Sequence, residues 1–181
     1  RIAASVKGHL SDHEIETKFV RISADERLSA VVEGKIDIEC GSTTITLSRQ
    51  EMDDFANPTF VTGGSVLSLA ATGIEDMSDL SGKKVGVARG TTTVGQLTSH
   101  LSEKLIDAEV VIVDDRVKGM ALLNRGEIDA LAADQIVLIG QVIESINPNG
   151  YSIVSEIFSY EPYGFAIRRN DSDFRLVVNS A

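Results

Sequence analysis

Residues 28–42 read LSAVVEGKIDIECGS, and residues 120–134, MALLNRGEIDALAAD, repeat the same succession of features. Each segment predicts a helix that ends at a glycine able to take the left-handed cap conformation, Gly34 in the first copy, and then a strand. Ser42 and Asp134 stand eight residues after the two glycines. We expect both at the carboxyl ends of parallel strands, where open α/β sheets bind ligands. Two similar lobes facing each other would bring them into one cleft, although helix–glycine–strand units also recur without such a role in any α/β protein.

Strand-like and helix-like patterns alternate along the rest of the chain. Strands are predicted at 18–22, 35–40, 65–71, 83–88, 109–113, 127–133, 151–158 and 163–169. Helices are predicted at 24–33, 48–55, 93–105, 116–125 and 134–145, with a last one beginning near Asp173. Ser48 and Glu51 fit a capping box at the start of the second of these helices. The alternation predicts an α/β protein with mostly parallel sheets.

Composition limits the classes of function. The chain has 181 residues, of which 43% are hydrophobic and 24% charged, so it has enough apolar material for a core. No apolar run approaches the ~20 residues that a membrane helix needs. A formal net charge of −10 argues against nucleic-acid binding and requires a local positive patch for any anionic ligand. Cys40 is the single cysteine, which excludes an intrachain disulfide, and we predict that it is buried at a strand end.

A run of hydroxyl side chains follows the predicted strand at 35–40 and ends at Arg49. Arg49 comes five residues after Thr44 and seven after Ser42, so a loop of this length can place the Thr44 hydroxyl and amide beside the guanidinium. A carboxylate would then accept two bonds from Arg49 and one or two from Thr44, with Ser42 accepting from an ammonium. The alternative is a capped loop followed by a solvated arginine.

A second hydroxyl cluster, Thr91, Thr92 and Thr93, follows Gly90 where a predicted strand turns into a helix. Free amides at a helix N-terminus favour an anion, although an ordinary N-cap would have the same sequence. Asp134 lies between an apolar strand and an apolar helix, so it fits either an N-cap or a partner for a ligand ammonium.

The sequence lacks the patterns of metal, nucleotide and nucleophile chemistry. His9, His13 and His100 show no metal-binding spacing, and we expect them on the surface. Phosphate-loop, dinucleotide-binding and nucleophile-elbow motifs are absent. We therefore predict no metal, no cofactor and no catalytic residue.

Four segments carry a resemblance to a known family. They are, in order, GKIDIECGSTTITLSRQEMDDFANPTFVTGG, LSGKKVGVARGTTT, ALLNRGEIDALAAD and EPYGFAIRR. Together they resemble the family 3 extracellular solute-binding proteins of ABC importers, which bind polar amino acids. The combination of ECGSTT with the following RQ is similar to the glutamate/aspartate-binding branch. The resemblance covers essentially the whole chain.

The resemblance implies the type II periplasmic-binding-protein fold, with two α/β lobes joined by two crossover strands. Lobe 1 would comprise residues 1–61 and 161–181, and lobe 2 residues 62–160. Family members begin with a further strand and ligand-contacting loop and end with more helix, so we expect both ends of the family fold to lie outside this chain.

The resemblance also implies roles for individual residues. Ser42, Thr44 and Arg49 match positions that hold the α-carboxylate and α-ammonium in lobe 1, while Thr92, with Thr91 and Thr93, matches contacts from lobe 2, and Asp134 matches the ammonium partner. Arg27 matches an arginine that meets the ligand side chain. Two positions depart from the branch, because Ala24 replaces a serine and Arg116 replaces a histidine. Arginine at position 116 keeps positive charge, which suits an acidic ligand.

The implied function is capture of a polar, acidic amino acid between two lobes that close about a hinge, and its delivery to ABC permease subunits in the membrane. The protein would be a monomer that acts in the periplasm or outside the cell and does not bind nucleic acid. Two alternatives use the same scaffold. One is the ligand-binding sensor domain of a membrane receptor, and the other is an enzyme resembling cyclohexadienyl dehydratase.

Overall fold

The computed structural model describes residues 1–9 and 15–181. The helices in these residues are α1 (Ile2–His9), α2 (Arg27–Val32), α3 (Leu47–Gln50), α4 (Thr93–Glu103), α5 (Arg116–Asn124), α6 (Gln135–Glu144) and α7 (Ser172–Ser180). The strands are β1 (Ile38–Glu39), β2 (Asp54–Phe55), β3 (Phe60–Thr62), β4 (Gly64–Leu69), β5 (Lys84–Ala88), β6 (Glu109–Val113), β7 (Ala130–Asp134), β8 (Tyr151–Ile153), β9 (Glu161–Tyr163) and β10 (Ala166–Ile167). Short 3₁₀ turns lie at Ala70–Thr72, Met77–Leu80 and Pro148–Gly150.

The chain divides into two compact units. Unit 1 consists of Arg1–Val61 and Pro162–Ala181, and unit 2 of Thr62–Glu161. The chain passes from unit 1 to unit 2 within β3 and returns within β9, and these two strands pair with each other. Two connections of this kind are the minimum for a unit inserted into another.

Unit 2 is built on a five-stranded sheet with the order β6-β5-β7-β4-β8. Strand β5 is parallel to β6 and β7, whereas β4 is antiparallel to β7 and β8. The prediction of mostly parallel sheets is therefore wrong. The succession β5–α4–β6–α5–β7 has the helical crossovers that parallel neighbours need. Strand β4 is followed by 3₁₀ turns instead of a helical crossover, and it pairs antiparallel with both of its neighbours.

Both faces of this sheet are buried. Val66 and Leu67 are neighbours in β4, point to opposite faces and are each 0% exposed. Val66 packs in a cluster with Leu97 of α4, and Leu67 packs in a second cluster with Leu123 of α5 and Leu138 of α6. Two apolar layers fix the sheet on both sides, so the loops at the carboxyl ends of β5 and β7 project from a rigid support.

Unit 1 contains a three-stranded antiparallel sheet with the order β1-β10-β2. Val31, Phe55 and Ala166 form one of its buried clusters, and Ala56, Ile167 and Val178 form a second. The strand predicted at 18–22 is not formed, since Phe19 is 97% exposed and no described strand pairs with this segment. An apolar run with no neighbour to accept its backbone hydrogen bonds does not become a strand.

Cys40 is exposed, and the prediction that it is buried is wrong. The side chain that points inward is that of Glu39, which is 8% exposed. Glu39 accepts a hydrogen bond of 2.6 Å from the Thr43 hydroxyl and lies 3.9 Å from the Arg27 guanidinium. Because the fold supplies polar partners for the Glu39 carboxylate, Glu39 is buried and Cys40 is exposed, which is the reverse of what hydrophobicity predicts at the end of β1.

The repeated segments end their helices in the same way. Gly34 and Gly126 have φ values of +68° and +69°, in the left-handed region. After α2, the amides of Gly34 and the next residue donate to carbonyls three and five residues back, at 3.0 and 2.9 Å. Gly126 and its successor do the same after α5, each at 3.0 Å. Both ends are Schellman motifs, which confirms the predicted glycine caps.

His100 differs from the expectation that the histidines lie on the surface. The His100 side chain is 11% exposed, lies 3.5 Å from Glu156 and has its ring centroid 5.8 Å from that of Phe158, so it is not a surface residue. The side chain of His9 and the whole of His13 lie outside the described residues. Among residues 1–9 and 15–181, no cluster of three or more His, Cys, Asp or Glu side chains has the arrangement of a metal site. No helix in these two ranges has the length and hydrophobicity to span a bilayer.

Candidate functional site

Arg49 lies in α3, whose N-cap is Thr46. The Thr46 side-chain oxygen accepts a hydrogen bond of 3.2 Å from the Arg49 amide, and Thr46 and Ser48 share a hydroxyl–hydroxyl bond of 3.1 Å. The predicted capping box of Ser48 and Glu51 is therefore wrong, because the helix begins two residues earlier. This start fixes the direction in which Arg49 leaves the helix.

The structure brings Thr44 and Arg49 together. The Arg49 guanidinium donates a 2.7 Å hydrogen bond to the Thr44 backbone carbonyl, and the two residues are 9% and 4% exposed. Thr44 is itself held by an antiparallel bridge to Tyr163. A guanidinium has five N–H donors in a rigid plane, and the bond to Thr44 sets the orientation of that plane. This is a geometry that can hold a carboxylate.

The structure also brings Ser42 and Arg27 together in unit 1. The Arg27 guanidinium donates to the Ser42 carbonyl at 3.1 Å and is 3.9 Å from the Glu39 carboxylate. Arg27 is 8% exposed at the first position of α2. Since Glu39 offsets part of its charge, Arg27 presents less net positive charge than the sequence suggests.

Asp53, three residues after the end of α3, is a buried acid that sequence reasoning missed. It is 0% exposed, and neither carboxyl oxygen has a hydrogen-bond partner among the described residues. Burial, and then the charges of Asp54 and Glu39, raise the pKa of Asp53 from 3.8 to about 6. A buried charge without partners destabilises the folded state.

We expect Asp53→Asn to raise the melting temperature, and to raise it more at about pH 7.5 than at about pH 4.5. The folded pKa lies above the unfolded one, so the folded state binds the proton more tightly and stability falls as pH rises from about 4 to about 6. Asparagine removes this penalty; each kcal/mol recovered raises the melting temperature by about 2–4 °C. Thermal unfolding at both pH values measures the difference.

Asp54→Asn is the matched control, because Asp54 has partners. It accepts from the Asn170 amide at 3.1 Å and lies 3.9 Å from Arg175. We expect no stabilisation from this change. An equal rise for both variants, or a rise for Asp53→Asn that does not depend on pH, would contradict our reading of Asp53.

Unit 2 places the threonine cluster at the start of α4. Thr91 donates a 2.7 Å hydrogen bond to the Ala88 carbonyl at the end of β5, Thr92 takes the N-cap position, and Thr93 is the first helical residue and is 3% exposed. Thr92 makes no side-chain cap bond to the helix. The amides of the first turn therefore point out of the N-terminus of an eleven-residue helix, an arrangement that favours an anion.

Asp134 lies at the same edge of the sheet. It is the last residue of β7, and β7 runs parallel to β5 in a register that pairs Ala132 with Val87. Adjacent strands lie about 4.8 Å apart, so the carboxyl ends of β5 and β7 are neighbours. The Asp134 side chain is 9% exposed and does not cap α6, although it occupies the N-cap position. The sequence allows Asp134 either to cap α6 or to pair with a ligand ammonium, and the structure shows no side-chain cap bond.

Glu161 contacts the threonine cluster, and it was not identified from the sequence as a candidate site residue. It is 1% exposed at the start of β9 and accepts 2.8 Å and 2.7 Å hydrogen bonds from the hydroxyls of Thr92 and Ser159. The Ser159 oxygen in turn accepts a 2.9 Å bond from the Gly64 amide, and Gly64 pairs with Asp134 in the sheet. A charged residue within the otherwise uncharged segment FSYEPYGF was the only signal in the sequence.

Arg116 is the first residue of α5, and its carbonyl accepts a 3.2 Å hydrogen bond from the Gln141 amide group. Within the described part of the chain, no hydrogen bond or ion pair links its guanidinium to Thr91, Thr92 or Asp134. The structure thus places the predicted residues of unit 1 in two groups, Thr44 with Arg49 and Ser42 with Arg27. In unit 2 it places Thr91, Thr92, Thr93 and Asp134 at the same edge of the sheet, and Arg116 lies outside this group.

These features define a protein that offers buried, oriented polar groups, and comparisons with known proteins show the family to which it belongs. Residues 2–181 match the family described as bacterial extracellular solute-binding proteins, family 3. The chain belongs to this family, which confirms the resemblance seen in the sequence and agrees with a binding protein that is not an enzyme.

Two named relatives are glutamate/aspartate-binding proteins. The chain is 29% identical to the L-glutamate/L-aspartate-binding protein of Pseudomonas aeruginosa, over 100% of this chain and 60% of that protein. It is 30% identical to the glutamate/aspartate import solute-binding protein of Salmonella typhimurium, over 98% of this chain and 59% of that protein. The chain therefore spans about 60% of the length of these relatives.

A solved structure confirms the fold. An ancestral arginine-binding protein bound to arginine superposes with a TM-score of 0.83 at 29% identity, covering 99% of this chain and 77% of the other. The type II periplasmic-binding-protein fold predicted from the resemblance is thus confirmed.

Proposed function

We propose that this protein is the part of an ABC importer that captures an acidic amino acid, and that unit 1 and unit 2 both contain ligand-binding groups. The observation that carries the proposal is a pair of buried opposite charges. Arg49 in unit 1 and Asp134 in unit 2 are each 9% exposed; the Arg49 guanidinium is oriented by the Thr44 carbonyl, and Asp134 makes no side-chain cap bond to α6. An amino acid carries the complementary pair, an α-carboxylate and an α-ammonium.

The assignment of groups follows their chemistry. Arg49, oriented by Thr44, suits the α-carboxylate because its planar N–H donors match two carboxylate oxygens. Asp134 suits the ammonium, with the Ser42 hydroxyl as a further acceptor. The amides at the start of α4, at Thr92 and Thr93, add donors for the carboxylate. These roles agree with those implied by the family resemblance.

The ligand's side chain is assigned from charge. Arg27, and Arg116 in the role that the family resemblance implies for it, would add positive charge to the site in a protein of net charge −10, and the two relatives described above are named for glutamate and aspartate. Glu39 lies beside Arg27 and offsets part of its positive charge, so the charge of Arg27 favours an acidic ligand without requiring one. A structural relative bound to arginine shows that the fold also accepts a basic ligand. We favour an acidic amino acid, delivered outside the cytoplasmic membrane to permease subunits by a monomeric protein.

We expect glutamate or aspartate to raise the melting temperature more than lysine or arginine does. Ligand at a hundred times its Kd stabilises the folded state by about 2.7 kcal/mol, which corresponds to a rise of about 5–10 °C for a protein of this size. A thermal-shift screen over the amino acids, followed by calorimetric titration, measures both the rank and the affinity. Tighter binding of arginine than of glutamate would overturn the acidic assignment, and no shift with any amino acid would overturn the proposed function.

A further inference from the structure

We propose that Glu161 is a positioning residue that makes the Thr92 hydroxyl a hydrogen-bond acceptor, so that unit 2 selects ligands bearing an ammonium group. The inference rests on the proposed function and concerns the same site. Glu161 would not contact the ligand itself. It would act through Thr92 by taking the only proton that the threonine hydroxyl can donate.

The polarity of the Thr92 oxygen follows from the single proton of its hydroxyl. A threonine hydroxyl has one O–H donor and two acceptor lone pairs. The Thr92 hydroxyl donates to the Glu161 carboxylate at 2.8 Å, and a carboxylate can only accept. Toward any other group, the Thr92 oxygen is therefore an acceptor. It can receive an N–H from an ammonium, and it repels the oxygen of a carboxylate.

Thr91 has the same polarity for a different reason. Its hydroxyl donates to the Ala88 backbone carbonyl at 2.7 Å, which leaves its oxygen as an acceptor as well. Asp134, a third acceptor, lies at the end of the neighbouring strand β7. Three acceptors from two adjacent strand ends favour a cation with several N–H donors. The amides at the N-terminus of α4 remain available in this part of unit 2 as donors for an anion, as expected from the sequence.

Glu161 is held so that it cannot turn away from Thr92. It is 1% exposed, and its second oxygen accepts a 2.7 Å bond from Ser159, whose oxygen accepts from the Gly64 amide. Gly64 has no room for a side chain, since an added Cβ would lie 2.4 Å from the Phe158 ring. The carboxylate is thus fixed by a chain of bonds that ends in the backbone of β4, and fixed polarity is what selectivity requires.

The test uses two probes that differ only by the ammonium group, glutamate and glutarate. Glutarate has both carboxylates of glutamate and lacks the α-ammonium. We expect wild-type protein to prefer glutamate, and Glu161→Gln to lower the ratio of the two affinities by about tenfold to a hundredfold, because a hydrogen bond between Thr92 and a charged group is weakened or lost. An amide presents one donor end and one acceptor end, so it cannot accept from both Thr92 and Ser159.

Thr92→Val, which removes the hydroxyl and keeps the shape, should lower the same ratio to a similar extent. If Glu161 acts through Thr92, the double variant should be no less selective than Thr92→Val alone. Glu156→Gln is the matched control, since Glu156 lies near His100 in the same unit and outside the site. It should leave the ratio unchanged.

The outcomes separate the two levels of the proposal. Equal loss of both ligands in Glu161→Gln would mean that Glu161 is merely structural. Additive effects in the double variant, or an unchanged ratio in Thr92→Val, would equally overturn the inference, while wild-type binding of glutamate would leave the proposed function intact. If wild-type protein binds neither glutamate nor any other amino acid, the proposed function itself fails.

Discussion

Asp134→Asn is expected to lower the affinity for the best amino-acid ligand by about 30-fold to 4,000-fold. Truncating or neutralising one partner of a buried charge pair costs about 2–5 kcal/mol, at about 1.4 kcal/mol per decade. Asp134 is 9% exposed and makes no cap bond to α6, so asparagine removes a charge without removing a helix cap. Calorimetric titration of the variant and the wild-type protein measures the loss.

Asp115→Asn is the matched control for this change. Asp115 also occupies an N-cap position, that of α5, but it accepts a 2.8 Å hydrogen bond from the Lys118 amide. Asparagine caps helices as well as aspartate does, so neither affinity nor melting temperature should change appreciably. If both variants lose affinity to the same extent, the effect of Asp134 arises from its helix and not from a ligand.

Arg49→Lys is expected to cost a similar amount, about 30-fold to 4,000-fold in affinity, while the protein remains folded. Lysine keeps the charge and can still reach the Thr44 carbonyl, but it lacks the planar fork that a carboxylate accepts in two bonds. Preserved folding should appear as a melting temperature within a few degrees of wild type in the absence of ligand, where 1 kcal/mol corresponds to about 2–4 °C. Titration with the best ligand of the screen completes the measurement.

Arg89→Lys provides the control for the arginine-to-lysine exchange. The Arg89 side chain is 52% exposed and pairs with Asp114 at 2.8 Å, and exposed ion pairs contribute little. We expect nearly unchanged affinity. Affinity close to wild type in Arg49→Lys, or an unfolded protein, would identify Arg49 as a structural residue and remove the main support for a carboxylate site in unit 1.

Several parts of the fold could be predicted because their causes are local. Helix α4 and strand β6 follow from periodicity, and the glycine at each repeated helix end follows from the left-handed φ that only glycine adopts without strain. The position of Asp134 at a strand end follows from the same repeat. The pairing of Arg49 with Thr44 is likewise local, since five residues separate them.

The candidate site was predictable as a set of residue types and not as a set of bonds. Hydroxyls near Arg49 and at the start of α4 were visible in the sequence, but their polarity was not. The proton of Thr92 goes to Glu161, 69 residues away, and no local pattern reports a partner at that separation. The sequence therefore indicated where a ligand contact could form without indicating which ligand group each hydroxyl would face.

By itself the sequence determined the α/β class, the helices α4, α5 and α6, the repeated helix ends and the family, because these depend on periodicity and on residues close together in the chain. The helix predicted at 48–55 is shorter in the structure, where α3 ends at Gln50 and Asp54–Phe55 form β2. Only the tertiary structure decided the direction of β4, the absence of a strand at 18–22, the inward turn of Glu39 and the burial of Glu161. Each of these depends on whether a distant strand or side chain is present to accept a hydrogen bond. A buried polar group is stable only with such a partner, and contacts distant in sequence supply it.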